Sequence, residues 1–296
     1  MTGLFDLVVN NPLLLAEAAL NGVLLGGVLA LLALGLNLIF GVLDIVWIVY
    51  VDLVMLCMYQ VYFLVMVYGW PLWLGMLGGV ALGVLLGIAV HLLIITPILA
   101  SPPVNQLLAT GGLLFLVQSL ATFLWTTDHR SIRLTLPTIE VGGMFVSFSR
   151  LLAFVLAVLV MLGLYLFLTR TYIGTAIRAV SQDRGAMALM GASPQRIYVV
   201  TSAVGGALAG VAAALLSIQY SVHPHFGAAF GPITFMICVL GGLGNMVGAF
   251  VASFILSEII SIGGVAWSTE MGYVIAFALF IVLMFIRPGG IFARRQ

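Results

Sequence analysis

Long apolar runs separated by short polar segments make up almost the whole of this chain. Several runs exceed 18 residues, a length that predicts membrane-spanning helices. Strands of a membrane barrel would instead alternate apolar and polar residues. The predicted spans lie near residues 13–40, 45–68, 71–97, 105–126, 151–169, 197–219, 230–243, 246–263 and 271–286. The pattern therefore predicts one all-α, polytopic membrane domain over residues 1–296, with about 8–9 transmembrane helices.

The seventh predicted span is unusually short. At 1.5 Å per residue, residues 230–243 fall short of a hydrocarbon core that is ~30 Å thick. Gly231-Pro232 stands at its start and the glycine-rich sequence 241–245 at its end. Broken helices in lipid usually line a cavity or a substrate path, which favours a half-helix or a re-entrant segment here. A short crossing beside a kinked neighbour fits the sequence equally well.

Composition agrees with a membrane protein and excludes several kinds of chemistry. The chain is 64% hydrophobic and 6% charged, whereas a soluble domain is about 25% charged. All ten basic residues are arginine, so the chain lacks the lysine that a P-loop or a Schiff base requires. A net charge of +1 suggests no nucleic-acid partner. Cys57 and Cys238 stand alone in apolar runs and are predicted to be buried thiols.

The arginines predict the orientation of the chain in the membrane. Cytoplasmic connections of membrane proteins carry an excess of Arg and Lys. With nine crossings, seven arginines share one side and three share the other. The first group is Arg170, Arg178, Arg184, Arg196, Arg287, Arg294 and Arg295, and the second is Arg130, Arg133 and Arg150. The segment 170–196 and the C-terminus are therefore expected in the cytoplasm, with the N-terminus and the loop 127–149 outside.

The segment 170–196 is the most polar stretch of the chain and holds four of its ten basic residues. Ile173 and Ile177 have helical spacing. We expect this first part of the segment to continue the preceding span out of the membrane.

A short helix is predicted at 184–190. Ser181 or Asp183 can cap its first turn, and Gly191 can end it. Ser193-Pro194 then opens the next span. The apolar members of the short helix are Met187, Leu189 and Met190. Methionine adapts well to docking, so the helix resembles a protruding knob for a partner's groove. An ordinary cytoplasmic loop whose methionines lie on the bilayer surface is the alternative.

Four stretches of the sequence resemble one family. They are RTYIGTAIRAVSQDRGAMALMGASPQRI (170–197), LALGLNLIFGVL (32–43), GGLGNMVGAFVASFILSEI (241–259) and FIRPGGIFARR (285–295). The first is followed by a span of small residues at 204–216. Together they are similar to permease subunits of ABC importers, in the branched-chain amino acid permease family, whose relatives also import amides, urea and aromatic acids.

The resemblance implies a pore-forming subunit without catalytic residues of its own. A second, homologous permease would complete the membrane domain as a heterodimer, and two cytoplasmic ATP-binding subunits would supply the energy. An external or periplasmic binding protein would deliver a small organic solute to the bacterial inner membrane. That solute would be a branched-chain, aromatic or otherwise apolar amino acid or organic acid. No cofactor is expected in the chain itself, because the partner subunits would bind and hydrolyse ATP.

The resemblance also implies that the short cytoplasmic helix couples the permease to the ATPases. The coupling residues it implies are Arg178, Asp183, Arg184, Ala186, Met187, Met190 and Gly191. Closure of the ATPases would push this helix and tilt the attached spans. Charge reversal at Arg184, or the change Met187→Asp, would then uncouple transport.

The chain departs from the family after its Phe-Gly-Val sequence at 40–42. Members usually carry Asn-Phe-Ala-His-Gly-Glu there, whereas this chain carries Trp-Ile-Val-Tyr-Val-Asp at 47–52. The bulkier groups imply a narrower, more aromatic path, which would suit an aromatic or otherwise bulky apolar acid. The residues implied for the substrate path are Asp44, Trp47, Tyr50 and Asp52.

Acidic residues inside predicted spans leave an alternative function open. Asp44, Asp52 and Glu258 could serve as proton or sodium sites of an ion-coupled secondary transporter. Capping and interfacial solvation explain both aspartates equally well, and an interhelical hydrogen bond explains Glu258. His223 and His225 flank a proline without a nearby acid or cysteine, so no metal site is predicted.

Overall fold

A computed structural model describes residues 12–132, 138–141, 144–191, 193–287 and 289–291 of the chain. The N-terminal segment 1–11 lies outside these residues, as do Arg133, Arg294 and Arg295, on which part of the predicted orientation rests.

The described residues form helices with one small hairpin. The helices are α1 (Pro12–Leu43), α2 (Tyr50–Tyr62), α3 (Leu72–Val90), α4 (Thr96–Ile98), α5 (Pro103–Trp125), α6 (Phe148–Arg170), α7 (Tyr172–Gln182), α8 (Arg184–Leu189), α9 (Pro194–Gln219), α10 (Phe226–Gly241), α11 (Met246–Ala266) and α12 (Thr269–Ile286). Two π-helical segments, Phe63–Val67 and His91–Ile95, extend α2 and α3. The strands are β1 (Thr138–Val141) and β2 (Met144–Ser147).

Eight helical stretches in the described part of the chain are long and apolar enough to cross a membrane. This finding confirms the prediction of an all-α polytopic membrane protein, since only helices satisfy their backbone groups within one segment in lipid. The short apolar segment predicted at 230–243 is α10, which has 16 residues and continues through Pro232. At 1.5 Å per residue, α10 is about 24 Å long.

Helix α1 lies at the centre of the bundle. In its most apolar window 83% of the residues are buried, against 17% in α5 and 11% in α12. A helix that is apolar all round requires such surroundings, either from protein or from lipid. Helices α5 and α12 therefore lie at the periphery, where lipid or another protein must cover them.

Glycines allow α3 and α9 to cross at close range. A Cβ on Gly83 in α3 would strike the carbonyl oxygen of Gly206 in α9, and a Cβ on Gly87 would strike that of Ser202. Small residues at such contacts let helix backbones approach in membranes, where dispersion contacts replace the hydrophobic effect as the driving force.

The bundle has two ends, because successive long helices run in opposite directions. One end, called the α8 end here, holds α7 and α8 with the last residues of α1 and α10. There the Asn37 side-chain oxygen accepts a hydrogen bond from the Gly244 N–H at 2.7 Å, and Ile291 N–H donates to the Leu240 carbonyl at 2.8 Å. Helix α10 ends at this level and begins near the other end, so it runs lengthwise through the bundle.

The connection between α5 and α6 lies at the other end and carries the hairpin. Strands β1 and β2 pair antiparallel, with Thr138 opposite Ser147. Arg130 forms an isolated bridge with Val222, with N···O distances of 2.9 and 2.7 Å. This bridge ties the α5–α6 connection to the loop before α10.

Helix α7 is separate from α6, contrary to the expectation that this segment continues the preceding span. Thr171 between them is extended, with φ −99° and ψ 152°, and its side-chain oxygen accepts a hydrogen bond from the Gly174 N–H at 3.0 Å. This cap starts a new helix. A Cβ on Gly174 would strike the Phe167 carbonyl oxygen, so the chain turns at Thr171 and α7 packs against the end of α6.

Candidate functional site

The short helix α8 is fixed at both ends. Asp183 is extended, with φ −150° and ψ 104°, and its Oδ1 accepts a hydrogen bond from the Ala186 N–H at 2.9 Å. Ser181, the other candidate cap, instead donates to the Arg178 carbonyl oxygen at 2.8 Å. Gly191 has φ +82°, the left-handed conformation that commonly ends a helix. The cap and the glycine together define a compact element at the end of the bundle.

Two apolar side chains at the end of α8 project away from the bundle. Leu189 is 91% exposed and Met190 is 82% exposed. Met187, contrary to the expectation that it protrudes, is half-buried and packs against the hydrophobic core. The exposed apolar knob therefore consists of Leu189 and Met190, while Met187 anchors α8 from below.

Arginines hold α8 in place and line the space beside it. The Arg184 guanidinium carbon lies 5.9 Å from the centre of the Tyr198 ring in α9, a cation–π distance. Arg178 lies on the exposed face of α7, whose opposite face buries Ile177 and Val180. Helix α8 therefore contacts α9 directly through Arg184.

A cavity of about 1040 Å³ opens at the α8 end. Asp44, Arg178 and Arg184 line it together with the turn between α10 and α11. Asp44 is exposed and has φ +60°. The structure therefore separates Asp44 from Trp47, Tyr50 and Asp52, with which the sequence had grouped it.

Non-helical backbone interrupts the bundle between α1 and α2. The Val46 carbonyl oxygen accepts a hydrogen bond from Thr110 Oγ1 of α5 at 3.3 Å. Trp47 and Tyr50 are fully buried, with 0% and 1% exposure, and the Tyr50 hydroxyl donates to the Gly205 carbonyl of α9 at 3.1 Å. Irregular backbone at membrane depth occurs where it lines a cavity or is covered by protein, and here it does both.

The non-helical segment 44–49 between α1 and α2, called the break here, lines a second cavity. This cavity, called the apolar cavity here, has a volume of about 540 Å³. Its walls come from the break, from α5 and from the first half of α10. None of the described residues that line it is charged, and Gln118 contributes its side-chain amide. Phe115 on its rim is 70% exposed, so the cavity opens onto the outer face of the bundle.

Asp52 lies directly behind the wall of the apolar cavity. Its side chain is 1% exposed, and its Oδ1 accepts a hydrogen bond from Gln118 Nε2 at 2.8 Å. A Cβ on Gly227, in the first turn of α10, would strike the same carboxylate. Three elements therefore meet at one buried carboxyl group: the first turns of α2 and α10, and the middle of α5.

The remaining polar candidates from the sequence play packing roles. Glu258 lies beside Gly22 of α1, and the interhelical hydrogen bond in this region comes from Ser261, which donates to the Ala18 carbonyl at 2.7 Å. The rings of His129 and His223 are 4.5 Å apart. Within the part of the chain that the structure describes, no group of three or more His, Cys, Asp or Glu could hold a metal ion.

Three residues at these sites are not among the predicted site residues. Leu189 is an apolar member of the predicted short helix but is not one of the predicted coupling residues. Gln118 had a signal, because it is a lone amide in the apolar run of α5. Gly227 had none, because its role depends on a carboxylate that is distant in the sequence.

Comparison with known proteins places the whole bundle in one family. The family described as "Branched-chain amino acid transport system / permease component" matches residues 18–284. The chain is 27% identical to the High-affinity branched-chain amino acid transport system permease protein BraD of Pseudomonas aeruginosa, covering 95% of this chain and 96% of that protein. It is 26% identical to the permease protein LivH of Escherichia coli K12, covering 93% and 94%.

A more distant organism contributes a partial match. The chain is 30% identical over 141 residues to the Probable branched-chain amino acid transport permease protein LivH of Methanocaldococcus jannaschii, covering 45% of each chain. No solved structure matches the chain. The family match begins within α1 and ends within α12, so it spans nearly the whole bundle. The chain therefore belongs to the family of permease components of branched-chain amino acid transport systems.

Proposed function

We propose that the chain is the membrane-spanning permease subunit of an ABC importer in a bacterial inner membrane. Separate ATP-binding subunits would drive it, two copies per complex, and the chain itself would bind no cofactor. The solute would be a small organic molecule with an apolar body: a branched-chain or aromatic amino acid, or an organic acid. The observation that carries the proposal is the geometry of α8, a capped helix whose exposed tip is apolar.

The exposed apolar tip of α8 would be more stable in an apolar groove of another protein than in water. Leu189 and Met190 expose most of their apolar surface, and burial of such side chains is worth about 1.5–3 kcal/mol each. The Asp183 cap and the contact of Arg184 with Tyr198 hold the tip in a fixed position. A rigid apolar tip can transmit a push from a docked ATPase to α9, whereas a loose loop would absorb it.

The distribution of charge supports a cytoplasmic position for the α8 end. Five described arginines lie in the helices and turns at this end, and two lie at the other end. The first group is Arg170, Arg178, Arg184, Arg196 and Arg287, and the second is Arg130 and Arg150. Under the positive-inside rule, α8 would face the ATPases in the cytoplasm. The loop with the hairpin would face an external or periplasmic binding protein.

The apolar cavity supports a substrate path between two permeases. It opens on the outer face of the bundle, through exposed side chains of α5 and α10 such as Phe115 and Phe235. A second, homologous permease that covers this face would enclose the cavity, which would then lie between the two subunits. Trp47 and Tyr50 would form the inner wall of the path, with Asp52 directly behind it, and Asp44 would lie at its cytoplasmic mouth.

The test combines co-purification with uptake. The tagged chain is expressed in its native membrane, extracted in mild detergent, and its associated proteins are identified by mass spectrometry. We expect a second permease and ATP-binding subunits with the wild-type chain. Met190→Asp should abolish recovery of the ATP-binding subunits and reduce ATP-dependent leucine uptake at least about tenfold, because a charge in an apolar contact costs several kcal/mol.

Thr175→Asp serves as the matched control for this test. It adds the same charge at an exposed position on α7, at the same end of the bundle but outside the lining of the cavity there, and should leave both recovery and uptake unchanged. Met187→Asp is a poorer test, because Met187 is half-buried and its loss would also disturb packing. Recovery of the chain alone, active with only an ion gradient, would support the ion-coupled secondary transporter instead.

A further inference from the structure

We propose that Asp52, Gln118 and Gly227 form a subsite that binds a primary ammonium group of the solute in the apolar cavity. This inference rests on the proposed transport function and assigns a specificity-determining role to residues of its path. It would make the subunit itself select for amino acids and against organic acids that have the same side chain.

The carboxylate of Asp52 is separated from the apolar cavity by a thin wall. Gln118 and Gly227 both line the cavity and both contact the carboxylate. Gly227 has no side chain that could cover the Asp52 carboxylate, and any larger residue at position 227 would displace that carboxylate. In the proposed subsite, rotation of the Gln118 side chain would present the carboxylate to a solute.

Asp52 is buried, which disfavours its charged form unless a cation lies beside it. The Gln118 N–H donates to it, and the first turn of α10 at Gly227 places the positive end of a helix dipole beside it. None of the described residues that line the cavity is a cation. A buried charge requires a partner, and a solute ammonium would supply one.

The rest of the cavity suits the other parts of an apolar amino acid. Its volume of about 540 Å³ is within the usual range of small-molecule sites. Trp47 lines it, and its indole N–H has no hydrogen-bond partner among the described residues, so in the proposed site it would donate to the solute carboxylate. The apolar walls would then surround the side chain.

The experiment measures binding to the purified complex in nanodiscs, without the external binding protein, so that only the membrane subunits select the ligand. The probes are L-leucine, 4-methyl-2-oxopentanoate and 3-methylbutylamine, which share one side chain and differ in their polar groups. Saturation-transfer NMR with competition gives relative affinities. Wild type should prefer leucine over the oxo acid by at least about tenfold, since a site built for a polar group rejects the analogue that lacks it.

Asp52→Asn is the decisive variant. It should weaken leucine and 3-methylbutylamine at least about tenfold, while the oxo acid stays within about twofold. Glu258→Gln removes another intramembrane carboxyl group, which lies beside Gly22 and does not line the cavity, and it should change none of the three affinities. Thermal unfolding of each variant shows whether it is folded, and Asp52→Glu, which keeps the charge, should retain the preference for leucine.

Several results would overturn the inference. Equal affinity of wild type for leucine and the oxo acid, no binding of leucine, or an unchanged preference in Asp52→Asn would each do so. The proposed transport function is tested separately, because ATP-dependent uptake and recovery of ATP-binding subunits do not depend on which subunit selects the solute.

Discussion

At the scale of single residues, Asp183 determines whether α8 is a defined helix. A six-residue helix cannot be stable by propensity alone, and the only side-chain cap on its first turn in the described chain is the Asp183 carboxylate. The sequence predicted this residue but could not choose between it and Ser181. The choice depends on backbone conformation, because Ser181 is still inside α7 and bonds back to its own helix.

The change Asp183→Ala should loosen α8 without unfolding the bundle. Loss of an N-cap costs about 1 kcal/mol, so amide exchange across Ala186–Met190 should become about fivefold faster. Ser181→Ala is the control and should leave that exchange unchanged, because its hydroxyl caps nothing in α8. Hydrogen–deuterium exchange with mass spectrometry provides the measurement. Equal exchange in the two variants would show that the cap does not hold α8.

At the scale of helices, the close crossing of α3 and α9 connects the α8 end to the core. Helix α9 begins beside α8, where Tyr198 meets Arg184, and then crosses α3 through Gly206. Long apolar runs predicted the positions of both helices well, since lipid leaves the backbone few alternatives. The crossing itself was not predicted, because glycine spacing within one helix does not reveal which helix it faces.

The change Gly206→Ala should destabilise the bundle. The new Cβ would strike the Gly83 carbonyl oxygen, and such overpacking costs roughly 1–3 kcal/mol. Gly112→Ala in α5 is the matched control, since a Cβ there meets nothing within 4 Å, and it should be neutral or slightly stabilising. Thermal unfolding in detergent should show a lower midpoint for Gly206→Ala alone. Equal unfolding midpoints for the two variants would contradict a close contact between Gly206 and Gly83.

At the scale of the whole molecule, hydropathy predicted the class of fold and left the functional sites unresolved. The boundaries that were missed lie where polar contacts override periodicity, as at Thr171, where a cap starts α7. The predicted start of α10 at residue 230 is four residues late, because the contact of Gly227 with Asp52 of α2 joins residues that are far apart in the sequence. The site at Asp52 likewise depends on contacts between three helices.

In the proposed complex, the α8 tip is the contact point of an ATP-binding subunit. Both native cysteines are buried, so a single cysteine introduced at Met190 would be the one that reacts with a water-soluble maleimide cross-linker. Tyr68→Cys, 70% exposed at the other end of the bundle, serves as the control position.

The most direct measurement is therefore cross-linking of Met190→Cys in native membranes, followed by mass spectrometry of the product. The account predicts a cross-link to an ATP-binding subunit whose yield changes when ATP is added, and no such product from Tyr68→Cys. A chain that transports its solute while Met190→Cys cross-links to no ATP-binding subunit would contradict it.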